Sequence, residues 1–285
     1  MKRSRAVYED SAGERAIKVE KFIRNLHFSV PLYRLRQQSE RRPCPKCQKR
    51  RFYYCYDCLT VTHPESHPPP LSLPLNVYAI LHAGELRSKS TSVAASTISP
   101  DLHIIEYPEI PTNLKPENTL VLYPSSDSVE FEAVECLEKY TNVIFVESTW
   151  QKSKSIAHDS RLKNFKRVRI KEQSSLFWRF QNNDPTYLAT VEAIYYTLRE
   201  YVIHTNKVKA AKSKFGDSKV CDDESYYSGE VDDILFYYIN QYIGVQQRYS
   251  GNSPLKYTDR HFEGYILEKA SWDTLIAPPE TKSTY

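Results

Sequence analysis

A chain of 285 residues, 40% hydrophobic, 13% aromatic and 26% charged, has room for one large core and a small satellite module. That balance excludes both a disordered polymer and a membrane-embedded protein. Its seven glycines stand at positions 13, 84, 216, 229, 244, 251 and 264, too far apart for a GxGxxG or Walker phosphate cradle or a GxSxG nucleophile elbow.

The net charge of +4 conceals larger regional imbalances. The first 51 residues carry 15 Lys and Arg against 5 Asp and Glu; residues 101–149 hold 2 basic and 10 acidic residues, and residues 150–173 hold 8 and 2. Basic clusters of this kind attract phosphate backbones by counterion release. Alone, a basic terminus reads equally well as a solvated tail or an import signal.

In chain order, residues 1–20 mix charges with no apolar run, so neither a signal peptide nor a membrane anchor is expected there. An intracellular, reducing compartment is the expectation, nucleus or cytoplasm, and the six cysteines are then not three disulfides. Residues 1–40 read as a basic arm, helical in part over 7–38, and residues 41–62 as a compact cysteine module. There, Cys44-Pro45-Lys46-Cys47 and Cys55-Tyr56-Asp57-Cys58 form two CxxC knuckles seven residues apart. Each folds two thiolates toward one tetrahedral ion, and zinc in a closed, structural four-cysteine site is the expected occupant. Cys136 and Cys221 are isolated and read as inert. The connector at 62–74 is proline-rich, and its prolines keep His63 and His67 off a shared helical face, which disfavours metal binding by that pair.

Residues 75–250 alternate short Val/Ile-rich runs with amphipathic segments, the pattern of strands crossed over by helices. Strands are expected at 76–82, 102–105, 119–123, 143–147 and 167–170, in a parallel sheet buried on both faces. Residues 129–140 read as a crossover helix with Phe131, Val134 and Leu137 on one stripe. A helix is expected over 186–201, begun by Asp184 and Pro185, then a loop at 206–228 and a last helix over 231–249. A tail at 251–285 follows, frayed beyond Trp272.

Ligands of open parallel sheets bind beyond the carboxyl ends of the strands. Tyr123, Pro124 and the residues to Asp127 follow one such strand, the run from Glu147 to Trp150 follows another, and Arg179 precedes a helix carrying Thr190 and Glu192. Taken singly, Trp150 reads as a core aromatic, Glu192 as a helix-surface carboxylate and residues 89–91 as an ordinary loop.

The order of these segments is more specific than any one of them. The CxxC pair, Lys89-Ser90-Thr91, Glu147-Ser148-Thr149-Trp150, Phe177-Trp178-Arg179, the run from Tyr187 to Ala193 and the run from Asp233 to Tyr238 together resemble the DTW-domain family, in its eukaryotic tRNA-uridine aminocarboxypropyltransferase branch. The resemblance spans residues 44–249. It implies a SPOUT-like α/β fold with a knotted carboxyl-terminal part that holds S-adenosylmethionine. It also implies transfer of that cofactor's 3-amino-3-carboxypropyl group to N3 of a D-loop uridine in tRNA, with release of 5′-methylthioadenosine. A cofactor without phosphate agrees with the missing glycine cradle.

Under the resemblance, the family's DTW aspartate maps onto Glu147, a departure of one methylene, as the base that takes the N3 proton. Arg179 would pair with the cofactor carboxylate or an RNA phosphate. Tyr123, Pro124, Thr149, Trp150, Thr190 and Glu192 would hold the cofactor, Trp150 by stacking. Lys89, Lys152, Lys154, Arg167 and Arg169 would meet the RNA, beside the arm and the zinc module. Two alternatives share these residues: a SPOUT-type RNA methyltransferase using the same cofactor, and a catalytically silent RNA-binding DTW protein. Oligomeric state is not legible.

Overall fold

The structure, a computed structural model, describes residues 10–177, 187–213, 223–249, 265–267 and 272–276. It begins with helix α1 (Ala12–Arg24), opened by a capping box in which Ser11 and Glu14 satisfy each other's backbone N–H, and a short α2 (Leu32–Arg36). Two antiparallel hairpins follow: β1 (Arg42–Pro43) with β2 (Arg50–Arg51), and β3 (Tyr54–Cys55) with β4 (Thr60–Val61). The remaining elements are β5 (Asn76–Leu81), α3 (Thr91–Ala95), β6 (Leu102–Glu106), β7 (Thr119–Leu122), β8 (Val129–Glu130), β9 (Asn142–Glu147), α4 (Trp150–Ala157), β10 (Lys166–Arg169), α5 (Thr190–Ser213) and α6 (Phe236–Tyr249).

Six of these strands form one sheet in the order β6-β5-β9-β7-β10-β8, and every pairing in it is parallel. The period of two in β9 divides the core. Val143 and Phe145 face α5, α6 and the N-terminal helices, whereas Ile144 packs with Ile80, Val121 and Ile156 beneath α4. Both faces are therefore covered, as the apolar runs lead one to expect of parallel strands. The five expected strands form, each within two residues of its expected ends, and β8 is an additional edge strand.

Residues 129–140 correct the crossover-helix expectation. They form β8 and two 3₁₀ turns, Phe131–Ala133 and Leu137–Lys139. Phe131, Val134, Leu137 and Tyr140 are all buried, but a strict spacing of three matches 3.0 residues per turn better than 3.6, and Cys136 at φ 50° breaks the run. The expected loop at 206–228 begins instead as helix, because the Lys- and Ala-rich run 206–213 carries α5 onward. At the last helix a 3₁₀ turn, Asp232–Leu235, precedes α6. The tail packs back in part: Tyr265, Leu267 and Trp272 are buried, and Gln246 of α6 exchanges hydrogen bonds with the Tyr265 carbonyl (3.0 Å) and the Leu267 N–H (2.9 Å). Asp184, Pro185 and Cys221 lie outside the described residues.

The segment expected as a basic arm is anchored to the core. Ile23, Leu32 and Leu35 are buried in it, and the 3₁₀ turn before α6 receives the chain: Asp232 accepts from the His27 N–H (2.7 Å) and Asp233 from the Ser29 N–H (3.0 Å) and hydroxyl (2.6 Å). Gly229, at φ +94°, lets His27 come close, for a Cβ there would lie 2.7 Å from the His27 Cβ. Arg36 reaches α6 through the Asn240 side chain and carbonyl and Gln247.

Candidate active site

Each CxxC knuckle sits on its own hairpin, and the residue after each second cysteine, Gln48 and Leu59, takes a left-handed φ (61° and 51°) that curls the loop back over its sulfurs. The Sγ atoms of Cys44, Cys47, Cys55 and Cys58 all lie within 4.8 Å of one another. A tetrahedral zinc with bonds of about 2.3 Å would space them about 3.8 Å apart, so the donor set fits that ion. Burial raises the Cys55 thiol, but the backbone N–H groups of Cys58 and Asp57 outweigh it and bring it down to about 7, which favours the thiolate.

The module is docked by aromatic packing. Tyr54 and Tyr53 meet Tyr237 of α6 with ring centroids 4.9 and 6.1 Å apart, while Tyr237 shares a hydrogen bond with His67 Nδ1 (2.7 Å). His67 is thereby a docking residue, its other ring nitrogen on the Thr97 carbonyl. Arg87 ties the module to the sheet by donating to the Tyr56 carbonyl (2.9 Å) and to Glu106 (2.6 Å).

Glu147 ends β9, a central strand, and is buried at 8% exposure. Its carboxylate accepts from the Ser90 hydroxyl (2.9 Å), the Thr91 N–H (3.2 Å) and the Ser92 hydroxyl, at the start of α3. Burial raises its pKa, against the pull of these donors. Thr91 Oγ1 in turn accepts from the Val191 N–H of α5 (3.2 Å). One residue on, Glu192 is only 3% exposed, so the helix-surface alternative falls. It accepts from the Ser175 hydroxyl (2.6 Å) and the N–H groups of Leu176 (2.6 Å) and Ala189 (2.7 Å), and burial raises its pKa as well. Phe177 N–H completes the series on Ser175 Oγ (3.0 Å). Three segments far apart in sequence, around Ser90, Glu147 and Glu192, are thus joined by one chain of hydrogen bonds.

Beside this chain lies a small, solvent-open cleft between Tyr54 of the module, residues 88–91 and 94, and Tyr237, Tyr238 and Gln241 of α6. Ser90 and Thr91 line it and bond Glu147, so Glu147 lies behind its wall rather than within it. Tyr238, at the back, is a partner of Glu192. The sequence pointed to Lys89 here. It did not point to the tyrosines or Gln241, because β3 and α6 are remote in the chain and tyrosine periodicity reads as core.

The other expected residues are spread along the carboxyl edge of the sheet. Tyr123 and Pro124 follow β7, Tyr123 buried with its ring edge-on to His158 (6.4 Å) and Pro124 exposed. Thr149 caps α4 from an exposed position, its N–H 3.4 Å from Glu85 Oε1, and Trp150 opens that helix. Between Glu147 and Thr149, the buried Ser148 hydroxyl has no hydrogen-bond partner among the described residues. Thr190 begins α5, half-buried. Lys152 and Lys154 are exposed on α4. Arg167 and Arg169 make contacts within the chain, Arg167 with Asp127 and the Ala157 carbonyl and the exposed Arg169 with Glu130 and Ser128. Arg179 lies outside the described residues.

A family model of the DTW domain matches residues 52–219, more than half of the chain. The chain belongs to the DTW-domain family. Among its relatives, tRNA-uridine aminocarboxypropyltransferase 1 of Xenopus tropicalis is 28% identical over 266 residues, covering 77% of this chain and 85% of its own length. The protein of the same name from Mus musculus is 29% identical over 260 residues, with 75% and 80% covered. The structure of the SAM-dependent rRNA:acp-transferase Tsr3 from Vulcanisaeta distributa aligns with 63% of this chain and 85% of that one, at 14% identity and a TM-score of 0.35, a likeness too loose to support an inference. The DTW match begins between the two CxxC knuckles and ends before α6, so the cleft is bounded by residues inside and outside the matched domain.

Proposed function

We propose that this DTW protein is a tRNA-uridine aminocarboxypropyltransferase that moves the 3-amino-3-carboxypropyl group of S-adenosylmethionine to N3 of a D-loop uridine. Its relatives bear that activity in their names across most of their length. The observation that carries the reading is the convergence of the Ser90, Glu147 and Glu192 segments on one hydrogen-bonded chain at the carboxyl edge of a parallel sheet. The unpartnered Ser148 hydroxyl in the Glu147–Trp150 turn is a fit for a polar ligand there, and Tyr123, Pro124, Thr149, Trp150 and Thr190 would hold the cofactor beside it. When bound, the cofactor supplies a sulfonium-activated carbon. Arg179 would neutralise its carboxylate or an RNA phosphate.

The chain's own task is to remove a proton from an imide nitrogen. Ser90 lines the cleft and donates to Glu147, so the uridine N3–H proton passes to Ser90 Oγ as the serine proton passes to Glu147. The N–H bond breaks, its electron pair stays on N3, and Glu147 ends protonated. Burial makes this carboxylate a stronger base than an ordinary glutamate. Glu192, committed to Ser175, Leu176 and Ala189, is a positioning residue for the loop that leads to Arg179.

Incubation of the protein with tRNA and cofactor labelled in its carboxyl carbon, followed by mass spectrometry of the nucleosides, tests the proposal. Carboxyl label in uridine is expected. Methyl label in the RNA would make the protein a methyltransferase, and RNA binding without either label would make it a silent member of the family.

A further inference from the structure

Apart from Ser90, the cleft between the cysteine module and the sheet is lined by side chains for which proton transfer has no use. Tyr54 is the residue before the zinc-ligating Cys55, so the hairpin that positions a metal ligand also positions this ring. Its ring lies 4.9 Å from that of Tyr237, tilted by 56°. Ser88, Ser90 and Thr91 line the same cleft, as do Lys89 and Gln241, both exposed. The two walls do not close by chance, since Arg87 holds the module's Tyr56 carbonyl from the same segment that carries Ser88 and Lys89. An aromatic ring, an amide with both donor and acceptor, and a cation at the mouth are the complement of one unpaired nucleotide: face, base edge and phosphate.

We infer that this cleft receives a single unpaired nucleotide of the RNA, with Tyr54 against the base, Gln241 at its edge and Lys89 at its phosphate. The zinc module is then one wall of the substrate site and not a remote appendage. The inference rests on the proposed transfer only for the identity of the RNA. The adenosine half of the cofactor offers a base of similar chemistry, but it has no phosphate to engage the cation at the rim, which favours the RNA.

The test uses the zinc-loaded full chain and an RNA stem-loop with unpaired loop uridines, its affinity read by fluorescence anisotropy, with 5′-methylthioadenosine titrated separately by calorimetry. Tyr54→Ala is expected to weaken RNA binding about tenfold, the loss of one base–aromatic stack, while Tyr54→Phe retains it. Gln241→Ala, at an exposed position, is expected to weaken it severalfold. Zinc content and methylthioadenosine affinity should remain those of the parent in all three. Parent-like RNA affinity in both alanine variants overturns the inference, as does a loss that falls on methylthioadenosine instead. If Tyr54→Ala sheds its zinc, Gln241→Ala alone decides. Binding needs no turnover: Tyr54-dependent RNA binding without group transfer would sink the proposed activity and leave this site standing, whereas transfer with an indifferent Tyr54 and Gln241 would do the reverse.

Discussion

Glu147 and Glu192 share an unusual circumstance, in that each carboxylate is buried and receives three donors, for Glu147 all from residues 90–92 and for Glu192 from residues 175–176 and Ala189. Desolvation raises both pKa values, and for Glu147 this has a kinetic consequence. As the proposed final proton acceptor it must be ionised, so the acid limb of the pH–rate profile should lie above the ordinary carboxylate range, with activity rising as pH rises through it. Glu147→Gln and Ser90→Ala should each lower single-turnover transfer by about 10²-fold or more, and the double variant should be little worse than either, because the two residues act as one relay. A half-buried carboxylate, Glu200, carries a stability prediction instead. Glu200 is raised to about 7, mainly by burial, and its Oε2 has no partner among the described residues. A folded pKa above the unfolded one makes its favourable contribution complete below about 4.5 and lost as pH climbs through 7. Glu200→Gln should therefore raise the melting temperature at pH 8 and leave it nearly unchanged at pH 5, as scanning calorimetry would show.

Among the elements, the cysteine hairpins and the N-terminal helices depend most on their docking. Strands of two residues have no stability of their own, so the thiolate cluster and the Tyr54–Tyr237 contact must hold β1 to β4 together. Treatment with a chelator should release one zinc per chain and speed amide exchange at Tyr54–Cys55 and Thr60–Val61, while Asn142–Glu147 keeps its protection. The N-terminal segment is fixed by Leu35, 1% exposed, and by the Asp232 and Asp233 carboxylates. Leu35→Ala should cost about 2–5 kcal/mol in urea unfolding. These helices were legible as helical and basic, but their docking was not. It depends on two carboxylates some two hundred residues away, and no local pattern carries that pairing.

Over the whole molecule, the charge blocks are distributed unequally between internal and external work. Arg167 and Arg169 pair with acidic residues upstream, Asp127 and Glu130, across the boundary between the acidic and basic stretches. Lys152 and Lys154 remain exposed on α4. The logarithm of RNA affinity should fall linearly with that of salt concentration, and Lys152→Ala or Lys154→Ala should each reduce the slope by about 0.7–0.9 if that lysine meets a phosphate. Arg169→Ala should leave the slope unchanged.

The sequence by itself determined the parallel α/β sheet, the four-cysteine ligand set and the order of motifs that marks the DTW family. These are local properties, written in apolar runs, CxxC spacing and short strings of residues. Only the tertiary structure decided what those motifs do to one another: that Glu147 stands behind Ser90 instead of facing the cleft, that Glu192 is buried, that Arg167 and Arg169 pair with Asp127 and Glu130, and that a tyrosine of the cysteine module looks onto α6. The physical reason is that a side chain's reach is a few ångströms, whereas the groups that satisfy these carboxylates and rings come from segments tens to hundreds of residues apart, brought together only when the sheet and the two hairpins pack.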